Sequence, residues 1–422
     1  MRTDMLFKLA WRNLWRNKLR TGIMLGAMVF GLMGVVAMMG FLSGMYSSMI
    51  HNAIAWQTSH IQIQNQRYLD DPDIKNTVVD LTNVEKAIVT LPGLKGWSAR
   101  FVADGMVASA RSNRGVRING IDFEAESTVT PLAENITQGE WLSEEGRNPV
   151  LVSEKIASRL KLRIGSKVVL TFTDAAGEVS GAAFRVRGMF KTPSTSFDDG
   201  NVFVRRADLT DLAGIEGAHE VAILLDSDDA AMVQAKRLKE ALLTTTNPIY
   251  QNPSNDIGNR IRDWQQVQPM LASIINQQGL SNAIMLGIFV VAMGFGIVNI
   301  MLMSVFERTR EFGVLMAVGM QKHRVFILIM LETAWLGIAG AGLGLLASIL
   351  LISLLQYTGI PLGAMAEGLG AFGVDTLLYP YVSFTEYQMI FFTVVAASLL
   401  AALYPARQIL KQRPVDAMSD KH

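Results

Sequence analysis

The sequence predicts an α-helical membrane protein with four transmembrane helices, arranged one plus three, and a large mixed α/β extracytoplasmic domain between helices 1 and 2. Three observations predict it. Half of the 422 residues are hydrophobic and only 18% are charged, against about 25% in an ordinary soluble protein. The shortage of charge is confined to four long windows, and a normally polar stretch separates the first window from the other three. Lysine and arginine gather at one set of window ends, which gives the windows a common orientation.

Each window is long enough to span. A hydrocarbon core of about 30 Å needs roughly 20 apolar residues in a helix. Residues 21–46 and 283–306 hold no charge, 325–356 holds only Glu332, and 387–404 again holds none. Residues 1–21 carry six Lys/Arg, the loop 307–324 carries Arg308, Arg310, Lys322 and Arg324, and the tail 405–422 carries Arg407, Lys411, Arg413 and Lys421. The loop 357–386 carries none and has Glu367, Asp375 and Glu386 instead. Both termini and 307–324 are therefore expected in the cytoplasm, and 47–280 and 357–386 outside. No small-x-small cleavage site follows the first apolar stretch, so it reads as an uncleaved helix. Before it, Leu6, Leu9, Ala10, Leu14 and Trp11 or Trp15 fall near one face between basic residues, the pattern of an amphipathic helix in the inner interface over 1–20. The pairs Gly22/Gly26, Gly40/Gly44 and Gly340/Gly344 are four apart and allow close helix contact.

The domain 47–280 alternates strands and helices. His60-Ile61-Gln62-Ile63 is a half-buried strand, and Met106–Ile121 alternates about an Arg114-Gly115 turn. Val150–Val152 leads to Ser153, which can cap a helix to Leu160. Strands follow at 164–172, 184–190, 202–204 and 221–225, then a helix over 229–243. The domain has 24 Lys/Arg against 28 Asp/Glu and shows no basic stripe. With a chain net charge of +1, nucleic acid is not an expected partner.

Little in the chain suggests chemistry. There is no cysteine, so no disulfide, thiolate metal site or cysteine nucleophile. His51, His60, His219, His323 and His422 lie at no metal-ligand spacing and read as solvated or structural. Asp198-Asp199 and Asp228-Asp229 read as turns and helix starts. No Gly-x-Ser-x-Gly elbow and no phosphate-binding Gly-x-x-x-x-Gly-Lys-Ser/Thr loop occurs. A membrane-anchored enzyme is disfavoured, and any ATPase is another chain.

The most informative run is Asn299–Glu332. It leaves the second window as Asn299-Ile300-Met301 and continues Glu307-Arg308-Thr309-Arg310-Glu311-Phe312-Gly313-Val314-Leu315-Met316-Ala317-Val318-Gly319-Met320. A short helix with Phe312, Leu315 and Met316 on one side and Arg308, Arg310 and Glu311 around it suits a docking element. Gly313 and Gly319 permit a close approach or a sharp turn. Glu332 is costly inside a membrane helix and a functional candidate by default. Eight residues past Arg324, about 12 Å at the helical rise, it is expected to form a structural salt bridge with Arg12, Arg16 or Arg20 rather than to transmit motion.

This run, with Ala10-Trp11-Arg12-Asn13-Leu14-Trp15-Arg16-Asn17-Lys18-Leu19-Arg20-Thr21 and Tyr404-Pro405-Ala406-Arg407…Pro414-Val415-Asp416-Ala417, resembles the FtsX-like permeases of the MacB, LolC and LolE group of ABC transporters. The resemblance implies two permeases, the same or homologous chains, in the bacterial inner membrane on two cytoplasmic ATPase subunits, with ATP and Mg bound there and no cofactor in this chain. It implies an ATPase-coupling segment made of Glu307, Arg308, Arg310, Glu311, Phe312, Leu315, Met316 and Gly319. Motion would pass to a MacB-like periplasmic core domain over 47–280, which takes cargo from the outer leaflet or periplasm and hands it on. The cargo is read as a lipoprotein or lipid-linked molecule passed to a periplasmic carrier. The approach Asp263-Trp264…Pro269-Met270-Leu271 resembles that branch, and the uncharged stretch 264–283 could meet membrane lipids. Alternatives are an efflux permease with an adaptor and outer-membrane tunnel, which the Glu307–Glu311 run resembles, and an FtsX-like regulator of cell-wall hydrolases.

Overall fold

A computed structural model describes residues 3–16, 18–227, 230–244 and 258–411, with the side chains of 3–6, 20, 243, 244, 364, 366, 367 and 409–411 excepted. Asp228-Asp229, the run Pro414–Ala417, Arg413, Lys421 and His422 lie outside the described residues. The chain divides into two compact units. One holds residues 1–45, 276–360 and 377–422; the other holds 46–275 and 361–376.

The helical unit is built from α1 (Thr3–Leu14), α2 (Lys18–Ala53), α3 (Pro269–Glu307), α4 (Thr309–Ala317), α5 (Lys322–Thr358) and α6 (Phe384–Lys411). α2, α3, α5 and α6 are long and apolar enough to cross a membrane. Each outruns its apolar window, because bilayer thickness limits the hydrophobic stretch and not the helix. α3 opens at Pro269, where the missing N–H would be unpaired anyway, so 269–280 is helical. α6 runs through Pro405, where the sequence pointed to a stop. The ring costs one backbone hydrogen bond, but Ala402 and Ala406 are wholly buried on either side and packing holds the helix together.

α1 is tied to α5. Ala10 and Leu14 are buried, Ala10 in a cluster with Leu328, and the Trp11 ring stands edge-on to Trp335 at 5.2 Å. Leu9, assigned to the same face, is exposed. Thr21 Oγ1 donates to the Leu14 carbonyl at 2.5 Å and closes the turn into α2. Small residues then let helices meet. A Cβ on Gly340 would fall 2.6 Å from Met28 Cε, and one on Gly344 2.7 Å from Leu32 Cδ1, so α2 and α5 touch where the glycine pair lies. Gly22 and Gly26 face open space.

Among the described residues the second unit holds a mixed sheet of ten strands: β1 (Ile61–Asn65), β2 (Leu94–Ala108), β3 (Asn113–Ile121), β4 (Ile136–Gly139), β5 (Pro149–Ser153), β6 (Lys167–Thr173), β7 (Val179–Phe190), β8 (Asn201–Arg205), β9 (Glu220–Leu225) and β10 (Asn259–Asp263). The order is β10-β1-β9-β2-β3-β8-β5-β7-β4, with β6 paired to β2 and β7. β2 belongs to both halves. Its residues 94–100 pair with β9, and its residues 101–108 pair with β3. Its cores include one around Ile63, Val84, Ile88, Ile223 and Leu238, one around Phe101, Ile118, Val152, Leu170, Phe184 and Val204, and one around Trp56, Ile121, Leu151, Phe190 and Phe203. Ser153 caps the helix Glu154–Leu160 as its spacing required, accepting from Ile156 N–H at 3.0 Å.

The β2–β3 turn is Ser109–Ser112, not Arg114-Gly115. Ser109 N–H donates to Ser112 O at 2.8 Å, and Ser109 Oγ accepts from the N–H of Arg111 and Ser112. Gly115 lies inside β3, opposite Met106. A serine turn flanked by alternating residues reads as continuous strand, whereas the Arg-Gly pair imitates a turn.

Candidate functional site

The site lies where α3, α4 and α5 meet. Arg308 has φ −103° and ψ 9°, outside helical values, and forms the joint between α3 and α4; its carbonyl accepts from Phe312 N–H at 3.0 Å. α4 ends in a turn that only glycine fits without strain. Gly319 has φ +100°, and Met320 N–H reaches back to Leu315 O at 3.0 Å. Gly319 thus makes the sharp turn foreseen for it, while Gly313 is buried.

α4 has two faces. Phe312 is 2% exposed and belongs to the core of the helical unit, with Leu315 and Met316 packed against that core. Arg310, Glu311, Val314, Ala317 and Val318 are exposed, Val318 at 83%. The apolar side assigned to docking therefore faces inward. A nine-residue helix beside a bundle buries its bulkiest apolar face there first.

A ladder of charges ties these elements together. Arg16, in the turn after α1, donates through Nη2 to Glu311 Oε1 at 2.7 Å and Oε2 at 2.9 Å. Arg308 Nε donates to Glu311 Oε2 at 3.1 Å. Arg308 Nη1 donates to Glu332 Oε1 at 3.1 Å and Oε2 at 3.0 Å, and its guanidinium stands 5.1 Å over the Phe312 ring. Burial works to raise the Glu311 pKa, but the hydrogen bonds from Arg16 and Arg308 outweigh it and hold the carboxyl below its ordinary value. Beside the ladder is a cavity of about 340 Å³ whose lining includes Asn13, Thr21, Ser304 and Glu307.

Glu332 does form a salt bridge, and Arg308 is a partner the sequence did not suggest; the Arg20 side chain, one of the three expected, lies outside the described residues. Counting along α5 placed it near the basic N-terminal segment. Counting cannot show that an arginine at the α3–α4 joint turns back into the bundle to meet it.

The α/β unit holds a second cluster of charges. Arg100 donates through Nη1 to Glu220 at 2.7 Å, and through Nη2 and Nε to Glu126 at 2.7 and 3.0 Å. Arg117 Nη2 donates to the other Glu220 oxygen at 2.7 Å. Burial would raise the Glu220 pKa, and Arg117 and Arg100 together pull it below the ordinary carboxylate range. Val102 N–H donates to His219 Nδ1 at 3.0 Å, so the proton sits on Nε2 and faces Ile74 O at 2.8 Å. Burial pushes the His219 pKa down. His60 Nδ1 likewise accepts from Leu225 N–H at 3.0 Å. These histidines are structural. Asp198 is buried in the short helix Thr195–Gly200 and accepts from Thr192 N–H and hydroxyl; burial lifts its pKa to about 6. Trp264 is buried, whereas Met270 is exposed. Among the described residues no three His, Asp or Glu could hold a metal ion.

Two family models match the chain: the FtsX-like permease C-terminal model over residues 283–414 and the MacB-like periplasmic core domain over 21–239. The macrolide export ATP-binding/permease protein MacB of Chlorobium luteolum is 27% identical over 49% of this chain, and the match spans 25% of that relative. The lipoprotein-releasing system transmembrane protein LolE of Haemophilus influenzae is 22% identical over 92% of this chain and 90% of its own length. The crystal structure of the periplasmic region of MacB from Actinobacillus actinomycetemcomitans aligns with 53% of this chain and 97% of its own at 12% identity and a TM-score of 0.37.

Proposed function

This chain belongs to the FtsX-like permeases that carry a MacB-like periplasmic core domain, and we propose that it is the permease subunit of an ABC transporter driven by ATPase subunits on separate chains. The observation that carries this reading is α4. It is a separate short helix between two candidate spans, with Phe312 seated in the bundle and Arg310, Val314 and Val318 left outward. Such an element suits a groove in a partner, because its inner face is already fixed. The basic flanks of the spans put it in the cytoplasm, on the side where ATP and Mg would be bound by that partner. The large domain then lies in the periplasm, and a second permease completes the pair.

For cargo we favour lipoproteins or lipid-linked molecules, extracted from the inner membrane and passed to a periplasmic carrier. Supporting this is the extent of the LolE match, which runs through 92% of this chain, whereas the MacB match runs through 49% of it. Efflux through an adaptor and tunnel is the second reading, favoured by the MacB-like core model over 21–239. Mass spectrometry of the complex, purified by a tag on this chain from its native membrane with hydrolysis blocked, separates the two. The expected result is an ATPase with co-trapped acylated lipoproteins. An adaptor and tunnel would select efflux, and no ATPase would refute the transporter reading.

A further inference from the structure

We propose that α1 is a binding surface for anionic phospholipids of the cytoplasmic leaflet; the proposal rests on the placement of this helix at that side of the membrane. Lys8 and Arg12 take the lipid phosphate, and Phe7, Trp11 and Trp15 enter the headgroup region. Three sides of α1 carry three kinds of residue. Ala10 and Leu14 are buried, and the Trp11 ring stands edge-on to Trp335, so the helix is fixed on α5. Beside that seam Phe7 and Trp11, four apart, are 49% and 42% exposed, and Trp15 in the following turn stands edge-on to Trp11 at 5.8 Å. Further round, opposite Ala10 on a helix of 3.6 residues per turn, Lys8 and Arg12 are exposed, again four apart.

Rings and cations arranged in this way match a lipid headgroup in depth and in charge. Aromatic rings settle at the headgroup level of a bilayer, and a basic row beside them on the same helix draws anionic lipids. The charge is one-sided, since residues 1–21 hold six Lys/Arg and one acid, Asp4. Arg16 is taken up by Glu311, which leaves Lys8 and Arg12 to face outward. A basic flank that only orients the first span needs no folded scaffold. Here the cations stand at fixed spacing on a helix held to α5 and joined to the start of α2 through Thr21 and Leu14. The exposed side of α2 then opens with Leu19 and Ile23, and beside them Gly22 and Gly26 leave open space against which an acyl chain can lie.

The full-length chain is reconstituted in phosphatidylcholine vesicles that hold a minor fraction of dibrominated phosphatidylglycerol or of dibrominated phosphatidylcholine, and tryptophan quenching is measured. The share of α1 is the part lost in Trp11→Phe with Trp15→Phe. Each Lys or Arg near an anionic surface contributes about fivefold to association, so the wild-type chain is expected to favour the anionic probe by at least about fivefold. Lys8→Gln with Arg12→Gln should remove that preference and leave quenching by the phosphatidylcholine probe unchanged. If that variant fails to insert, salt decides: the wild-type preference should fall as ionic strength rises, and a salt-independent preference would overturn the proposal. Equal quenching by the two probes in the wild-type chain, or a preference that survives both substitutions, would overturn it as well. No quenching of Trp11 and Trp15 by either probe would refute the placement of α1 at the membrane itself, a result distinct from loss of the preference.

Discussion

Inside a helical core both oxygens of Glu332 accept from Arg308. Breaking a buried pair by removing one partner typically costs about 3–5 kcal/mol, while replacing both by apolar groups is often close to neutral. Arg308→Met and Glu332→Leu should therefore each lower the thermal stability of the detergent-solubilised chain, and the double variant should lose less than the sum of the two. Strict additivity would show that the two are not coupled. In the α/β unit two residues set opposing pH dependences. Asp198 has its pKa raised to about 6 by burial, so between about pH 4, the ordinary aspartate value, and pH 6 the folded chain holds a proton that the unfolded chain has lost. Stability falls as pH rises through that window. His219 has its pKa lowered by burial, so below about pH 6.5 the unfolded chain takes up a proton that the folded chain refuses, and stability falls as pH drops. Asp198→Asn keeps an acceptor for Thr192 and should remove only the first trend. Unfolding midpoints measured from pH 4 to 7 would show it, and an unchanged slope between pH 4 and 6 would exclude Asp198 as its source.

At the level of single elements, α4 shows what a sequence pattern can and cannot carry. Its amphipathic character was legible from Phe312, Leu315 and Met316 against Arg308, Arg310 and Glu311. Which face turns to the bundle was not, because the same apolar stripe would serve a partner's groove equally well. The structure seats Phe312 in the core, and this changes the expected effects of substitution. Phe312→Asp would place a charge in a packed interior and should destabilise the helical unit, lowering the yield of folded chain. Val314→Asp and Arg310→Glu alter only the exposed face. They should release the ATPase from the purified complex while leaving the melting temperature of the chain within a few degrees, since surface changes usually stay within about 0.5 kcal/mol. Co-purification unaffected by both changes would remove the outer face of α4 as the dock. The ends of α3 and α6 teach a related lesson. Hydropathy marks where a helix is apolar, so Pro269–Leu280 and the turn beyond Pro405 were invisible to it although both are helical.

Across the whole molecule, long-range architecture was readable where it depends on local composition and unreadable where it depends on pairing. Four apolar windows with basic flanks mark the four candidate spans of the helical unit. The α/β unit depends on β2, a strand shared by two half-sheets, and its first half, Leu94–Arg100, carries no clean alternation. β10, Asn-Arg-Ile-Arg-Asp, is too short and charged to read as a strand. Nor could the sequence bring Arg100 to Glu126 and Glu220, which lie 26 and 120 residues away along the chain. That cluster stands where β2 passes from β9 to β3, with Glu220 on the β9 side and Glu126 and Arg117 on the β3 side. Arg100→Met would leave two buried carboxylates, with Arg117 still on Glu220 but no cation on Glu126, a loss of about 3–5 kcal/mol. Because the cluster joins both halves, the loss should not be local. Hydrogen exchange on the full-length chain should speed up alike in β1 and β9 on one side and in β5 and β7 on the other, with α2 and α5 unchanged. Faster exchange confined to β9 and the helix Phe123–Ser127 would show instead that the two half-sheets open independently, and that β2 links them without making them one cooperative unit.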